Sequence, residues 1–160
     1  MGILCYMIGK VCRSPMAEFL LNHITTKYGI ADDFYIVSAA TSTEEIGNPV
    51  HYGTRRKLAQ YGIRTDGKTA FQLRTSDYEK YDYFIGMDSA NIRNMTRILK
   101  GDPEGKIYKM LSFAGSERDV ADPWYTGDFE ATFEDIMTGL EAFLKELPEY
   151  AEVFQNGIIL

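Results

Sequence analysis

Residues 7–14 read Met-Ile-Gly-Lys-Val-Cys-Arg-Ser and are followed by Pro15. An apolar run, Ile3-Leu4-Cys5-Tyr6, leads in, and an amphipathic segment leads out. A strand that turns directly into a helix aims successive backbone N–H groups and the positive end of the helix dipole at one point, where an anion can be held. Arg13 adds a planar fork of donors that matches a phosphoryl group. Ser14 is placed to orient groups at the helix start. A plainer account stands beside this one, with Arg13 a solvated surface residue and Ser14 only a helix cap. The segment is not a nucleotide-binding P-loop, because the pattern G-x-x-x-x-G-K-[ST] is missing from it.

The elements that must position this loop follow from periodicity. Residues 3–7 read as a buried strand. From Ser14, residues Met16, Phe19, Leu20, His23, Ile24 and Lys27 recur at spacings of three and four, which predicts a helix begun by Pro15 and stopped by Gly29. Residues 34–38 form a second strand, and residues 48–61 a helix ending at Gly62. Residues 83–87 form a third strand, after which Asp88 caps a helix running to about Leu99. A fourth strand covers residues 107–111. The segment Asp122-Pro123-Trp124-Tyr125 follows as a loop. The last helix spans about 129–147, with Phe133, Ile136, Met137, Leu140, Phe143 and Leu144 on one face, and Pro148 ends it. Strands and helices alternate throughout. The expected fold is therefore α/β and three-layered, a four-stranded parallel sheet with helices on both faces. Residues 1–148 are read as one domain. Residues 149–160 form a C-terminal tail, either docked on the body or appended to it.

Composition narrows the function. A chain of 160 residues suits one domain that buries roughly two-thirds of its unfolded surface. The net charge of −6 argues against non-specific nucleic-acid binding. No stretch approaches the roughly 20 apolar residues of a membrane-spanning helix. The N-terminus reads straight into a strand rather than a secretory signal, and Gly2 leads into core residues rather than a myristoylation motif. Two cysteines, Cys5 and Cys12, form no disulfide framework, so a reducing cytoplasmic location is expected. With no CxxC and two histidines, no metal site is expected, and no cofactor. The expected partner is a small-molecule or phosphate-like ligand, and the expected state is a monomer or weak dimer.

Gly9, Cys12-Arg13-Ser14-Pro15 and Met16-Ala17-Glu18, directly after a first strand, resemble the opening of the low-molecular-weight protein tyrosine phosphatases. Asp122-Pro123-Trp124-Tyr125 resembles the general-acid loop of that family. Ser38 resembles the serine that supports the phosphate loop, and Met87-Asp88 the start of the helix after the third strand. The likeness covers roughly residues 3–147. It implies a reaction in which a cysteine at the position of Met7 attacks phosphorus, Arg13 holds the phosphoryl oxygens, and Asp122 protonates the leaving group. Met7 is a thioether without an ionisable proton and forms no phosphoenzyme. Cys12 corresponds to the second loop cysteine of the family. Cys5 lies two residues earlier on the strand, where a small buried hydrophobe is the plain reading.

Further departures from the family accompany Met7. Lys10 stands where asparagine is usual, Ile8 where a small or polar residue is common, and Tyr6 where valine is typical. Tyr52 interrupts a His-Pro-Gly, Phe71 interrupts an Ala-Arg-Gln, and Ala90 stands where an aromatic is frequent. Together they predict an enlarged, more apolar pocket, reached by divergence or by design. Lys10 in such surroundings would lose proton affinity and become a candidate amine nucleophile for Schiff-base, retro-aldol chemistry. Tyr52 or Asp122 would move the proton, Met7, Ile8 and Phe71 would hold an aromatic substrate, and Trp124 and Tyr125 would wall the cleft. The plain alternative is a solvated Lys10. The other functional reading is an inactive phosphatase-like protein in which Arg13 and Ser14 still hold phosphate or phosphotyrosine. An active phosphatase is disfavoured by Met7.

Overall fold

The computed structural model describes residues 3–8, 12–39, 50–65 and 72–160. Four parallel strands, β1 (Ile3–Ile8), β2 (Phe34–Ala39), β3 (Tyr83–Gly86) and β4 (Ile107–Lys109), form one sheet in the order β2-β1-β3-β4. The helices are α1 (Arg13–Lys27), α2 (Tyr52–Ala59), α3 (Ser89–Ile98), the four-residue α4 (Pro123–Thr126) and α5 (Phe129–Glu146). This is the expected α/β arrangement of a four-stranded parallel sheet with helices on both faces.

The order of the strands locates the site. The chain leaves β1 for β2 on one side and later returns to β3 on the other. The carboxyl ends of β1 and β3 therefore flank the point where the winding reverses, which is where open α/β sheets form ligand crevices. In register, Met7 lies between Ser38 of β2 and Ile85 of β3, and Ile8 between Ala39 and Gly86.

Because side chains alternate along a strand, β1 serves two cores. Cys5 and Met7 join the larger cluster, with Met16, Leu20 and Ile24 of α1 and Ile136, Leu140 and Phe143 of α5. Tyr6 and Ile8 point the other way and pack with Phe84 of β3 and Met95 of α3. Tyr6 stacks against Phe84 with ring centroids 5.8 Å apart and tilts over Tyr81 at 4.6 Å.

Local chemistry explains the element boundaries. α1 begins two residues before the expected start at Pro15, at Arg13, with Cys12 as its N-cap, so Pro15 falls within the first turn, where no N–H is required. Asp88 caps α3 as expected, accepting from Asn91 N at 2.7 Å. His51 caps α2 through Nδ1, which accepts from Gly53 N at 3.1 Å. The helix described is therefore Tyr52–Ala59 rather than 48–61. β4 also stops short of its expected end at 111. Met110 and Leu111 turn into a short 3-10 segment, Met110–Ala114, and are buried beneath α5. Gly139 of α5 permits this, since a Cβ there would stand 2.6 Å from Met110 Cγ and 2.8 Å from the Met110 carbonyl oxygen.

The segment beyond Pro148 packs on the body. Phe154 is fully buried and meets the ring of Tyr28 at 4.8 Å. Tyr150 packs on Phe34 and donates a 2.6 Å hydrogen bond to Asp33. Burial and that carboxylate push the Tyr150 hydroxyl up to about 12. Phe154→Ala should cost about 3–5 kcal/mol of stability, the usual loss for a buried aromatic. Urea denaturation checks this, and a loss within about 0.5 kcal/mol, the range of surface substitutions, would show that the segment is not part of the core.

Candidate functional site

Arg13 opens α1 and is 3% exposed. One of its guanidinium nitrogens donates to Asp88 Oδ2 at 2.7 Å, and the other donates to the Val120 carbonyl at 3.0 Å. Asp122 Oδ2 lies 3.5 Å from the first nitrogen. A single cation thus ties together three segments: the start of α1, the cap of α3, and the loop before α4. Val120 is fixed in turn, its N–H donating to the Met87 carbonyl at 2.9 Å. The contact to Asp88 is short and that to Asp122 long. Asp122 is therefore the weaker of the two carboxylate partners.

Residues that sequence reasoning did not single out hold Asp122 in place. The peptide of Ala121, directly before it, is gripped from α5 on both sides. Asp135 accepts from the Ala121 N–H at 2.9 Å, and Thr132 donates to the Ala121 carbonyl at 2.7 Å. Arg118 forks onto Asp135 at 3.0 and 2.6 Å. Burial alone would push the Asp135 carboxyl up. The Arg118 bonds and the Ala121 N–H outweigh it and hold the group below its ordinary value. Asp122 itself caps α4, accepting from Trp124 N at 3.0 Å. These partners lie 11 to 17 residues apart in sequence, and no local pattern marks them.

The first turn of α2 closes another side. Thr54, fully buried, donates to the Cys12 carbonyl at 3.0 Å and so orients the peptide leading into Arg13. Gly53 lets α2 approach α5, because a Cβ there would fall inside the Phe129 ring. His51 stacks on Phe129 at 5.5 Å and meets Trp124 edge-on at 6.1 Å. Trp124 and Tyr125 are 70% and 81% exposed, so most of each ring is free to meet a ligand.

The candidate residues thus divide. Arg13 and Asp122 come together, and Ser14 is buried beside Arg13 at the head of α1. Met7 and Ile8 are both fully buried but on opposite faces of the sheet, so they do not share one pocket wall. Tyr6 is likewise a core residue of the α3 face. Tyr52 is exposed at the start of α2, its ring approached by Arg55 and Arg56. Lys10 and Phe71 lie outside the described residues. Burial, reinforced by Asp82, pushes the Cys5 thiol far above its ordinary range, consistent with a small buried hydrophobe.

A buried arginine at a helix amino end, at the switch point of a parallel sheet, with a carboxylate on the facing loop, marks this crevice of an α/β protein as the candidate site. A profile described as low molecular weight phosphotyrosine protein phosphatase matches residues 2–153, and the chain belongs to this family. It is 34% identical over 148 residues to the low molecular weight protein-tyrosine-phosphatase YfkJ of Bacillus subtilis, covering 91% of this chain and 95% of that protein. It is 35% identical over 135 residues to PtpA of Staphylococcus epidermidis, covering 84% and 85%. The crystal structure of YfkJ superposes with a TM-score of 0.87, covering 93% of this chain and 96% of that one. SP-PTP, the low molecular weight protein tyrosine phosphatase of Streptococcus pyogenes, superposes at 0.82 with 39% identity, covering 95% and 98%.

Two outcomes test the geometry. Asp88→Ala removes both the α3 cap and the short partner of a buried cation, and should cost about 3 kcal/mol. Asp88→Asn, which keeps a capping oxygen, should recover about 1 kcal/mol of that in urea denaturation. The Asp135 carboxyl, depressed in the folded state, contributes stability that is present above its unfolded value of 3.8 and is lost as pH falls through the folded one. Urea midpoints should therefore drop steeply below about pH 4, and Arg118→Ala should flatten that drop.

Proposed function

We propose that this protein binds phosphoryl anions, phosphotyrosine among them, at the loop that opens α1, and that it does not hydrolyse them through a phosphoenzyme. The observation that carries the reading is Arg13, braced by Asp88 at 2.7 Å and facing Asp122 at 3.5 Å. Its guanidinium is already oriented, so little conformational freedom is lost when an anion arrives. Membership of a phosphatase family supports a phosphoryl ligand.

The loss of turnover follows from Met7. At the position where the family resemblance puts its nucleophile, a thioether has no proton to lose and no free electron pair that yields a stable phosphoenzyme. Neither cysteine replaces it. Cys5 is sealed in the core with its thiol strongly disfavoured as thiolate. Cys12 immediately precedes Arg13 instead of standing across the loop from it.

Calorimetric titration should give saturable binding of phosphotyrosine with Kd below about 10 mM, weakened at least tenfold by Arg13→Gln. p-Nitrophenyl phosphate should show no turnover with the native chain. Met7→Cys should gain hydrolysis with a burst of nitrophenolate, the mark of a covalent intermediate. Turnover by the native chain that Arg13→Gln abolishes would overturn the absence of a phosphoenzyme route. Failure to bind phosphotyrosine would overturn the ligand.

A further inference from the structure

We propose that the depression between the first turns of α2 and α5 is a subsite for acidic residues flanking a phosphorylated side chain held at Arg13. The proposal rests on the phosphoryl reading of Arg13 and adds to it the kind of polypeptide that this protein selects.

Position is the first argument. The depression encloses about 420 Å³ and is lined by His51, Tyr52, Arg56, Gly127 and Glu130 among others. It adjoins the anion site through two contacts already described. Thr54 of the same α2 turn holds the Cys12 carbonyl, and His51 meets Trp124, two residues after Asp122. A chain that leaves Arg13 past the exposed Trp124 ring therefore runs onto α2.

Charge is the second argument. The protein carries a net charge of −6, yet α2 has three consecutive cations, Arg55-Arg56-Lys57, and no acidic residue. Lys57 is internally matched: it is 6% exposed, pairs with Glu130, donates to Gln60 at 3.2 Å and lies 4.8 Å from the Phe133 ring centroid. Arg55 and Arg56 are different. Both are exposed, and their guanidinium carbons sit 5.9 and 5.6 Å from the centroid of the Tyr52 ring. Among the described residues, neither pairs with a carboxylate. Tyr52, itself 62% exposed, provides an aromatic surface against which both forks rest. An incoming carboxylate meets two cations without breaking an internal ion pair, and the local positive field in an acidic protein favours its approach.

The measurement is fluorescence anisotropy of labelled phosphotyrosine peptides, one flanked by glutamates and one by glutamines. The glutamate peptide should bind about three- to tenfold tighter, as one or two partly exposed charge pairs give, and the difference should shrink as salt is raised. In an Arg55→Gln/Arg56→Gln variant, checked for its fold by circular dichroism, the two peptides should bind alike. Lys145→Gln, a change of the same charge far along α5, should preserve the difference. Equal affinity of the two peptides for the native chain overturns the subsite alone, as does a preference that survives in the double variant. Failure of both peptides and of free phosphotyrosine to bind overturns the reading of Arg13 and the subsite with it.

Discussion

A guanidinium buried to 3% exposure cannot remain charged without compensation, and the architecture around Arg13 is organised by that requirement. Its two edges reach Asp88 and the Val120 carbonyl, which belong to the segments following β3 and β4, across the sheet's switch point from β1. The cap of α3, the loop before α4 and the start of α1 consequently have one relative placement that satisfies the cation. Asp122 sits near enough to feel the charge but too far for a short bond, 3.5 Å from the nitrogen that Asp88 already holds.

β1 imposes a second constraint, because each of its residues from Cys5 to Ile8 faces one core or the other. Met7 belongs to the face of α1 and α5, and Ile8 to that of α3. An apolar residue at either position therefore improves packing before it alters any cleft. The more apolar residues of β1 that suggest an enlarged pocket, Tyr6, Met7 and Ile8, are explained by burial. Tyr52, Trp124 and Tyr125 remain exposed around the approach to Arg13, and they are the aromatic side chains on which a ligand can rest.

Most elements were legible because they carry local signals: Asp88 as a cap, Pro148 as a stop, and a three-four spacing of apolar residues in α1 and α5. The end of β4 was not, because Met110 and Leu111 look like strand and are turned aside by packing under Gly139, almost thirty residues away. Arg13 and Asp122 could be found from their motifs. Asp88 could be recognised as a cap, but its bond to Arg13 spans 75 residues and has no local signature. Thr54, Thr132 and Asp135 were missed for the same reason. A threonine or aspartate on a helix reads as surface until the loop that it holds is seen against it. The separation of Met7 from Ile8 was available from strand alternation and was obscured by treating adjacent residues as neighbours in space.

On the proposed reading, binding and turnover are separable, because different elements would carry them. The oxyanion site depends on the amino end of α1, on Asp88 and on a loop clamped by Thr132 and Asp135. None of these hydrogen bonds is made by the side chain at position 7. A methionine there fills core volume between β1 and the helices, so replacing a thiol by a thioether adds packing where it removes a nucleophile. Selection on binding alone would leave Arg13, Asp88 and the clamp under constraint while releasing position 7 to the demands of the core. On the proposed reading the site would then keep the charge, the orienting bonds and the aromatic approach suited to a phosphoryl group, without a nucleophile at position 7.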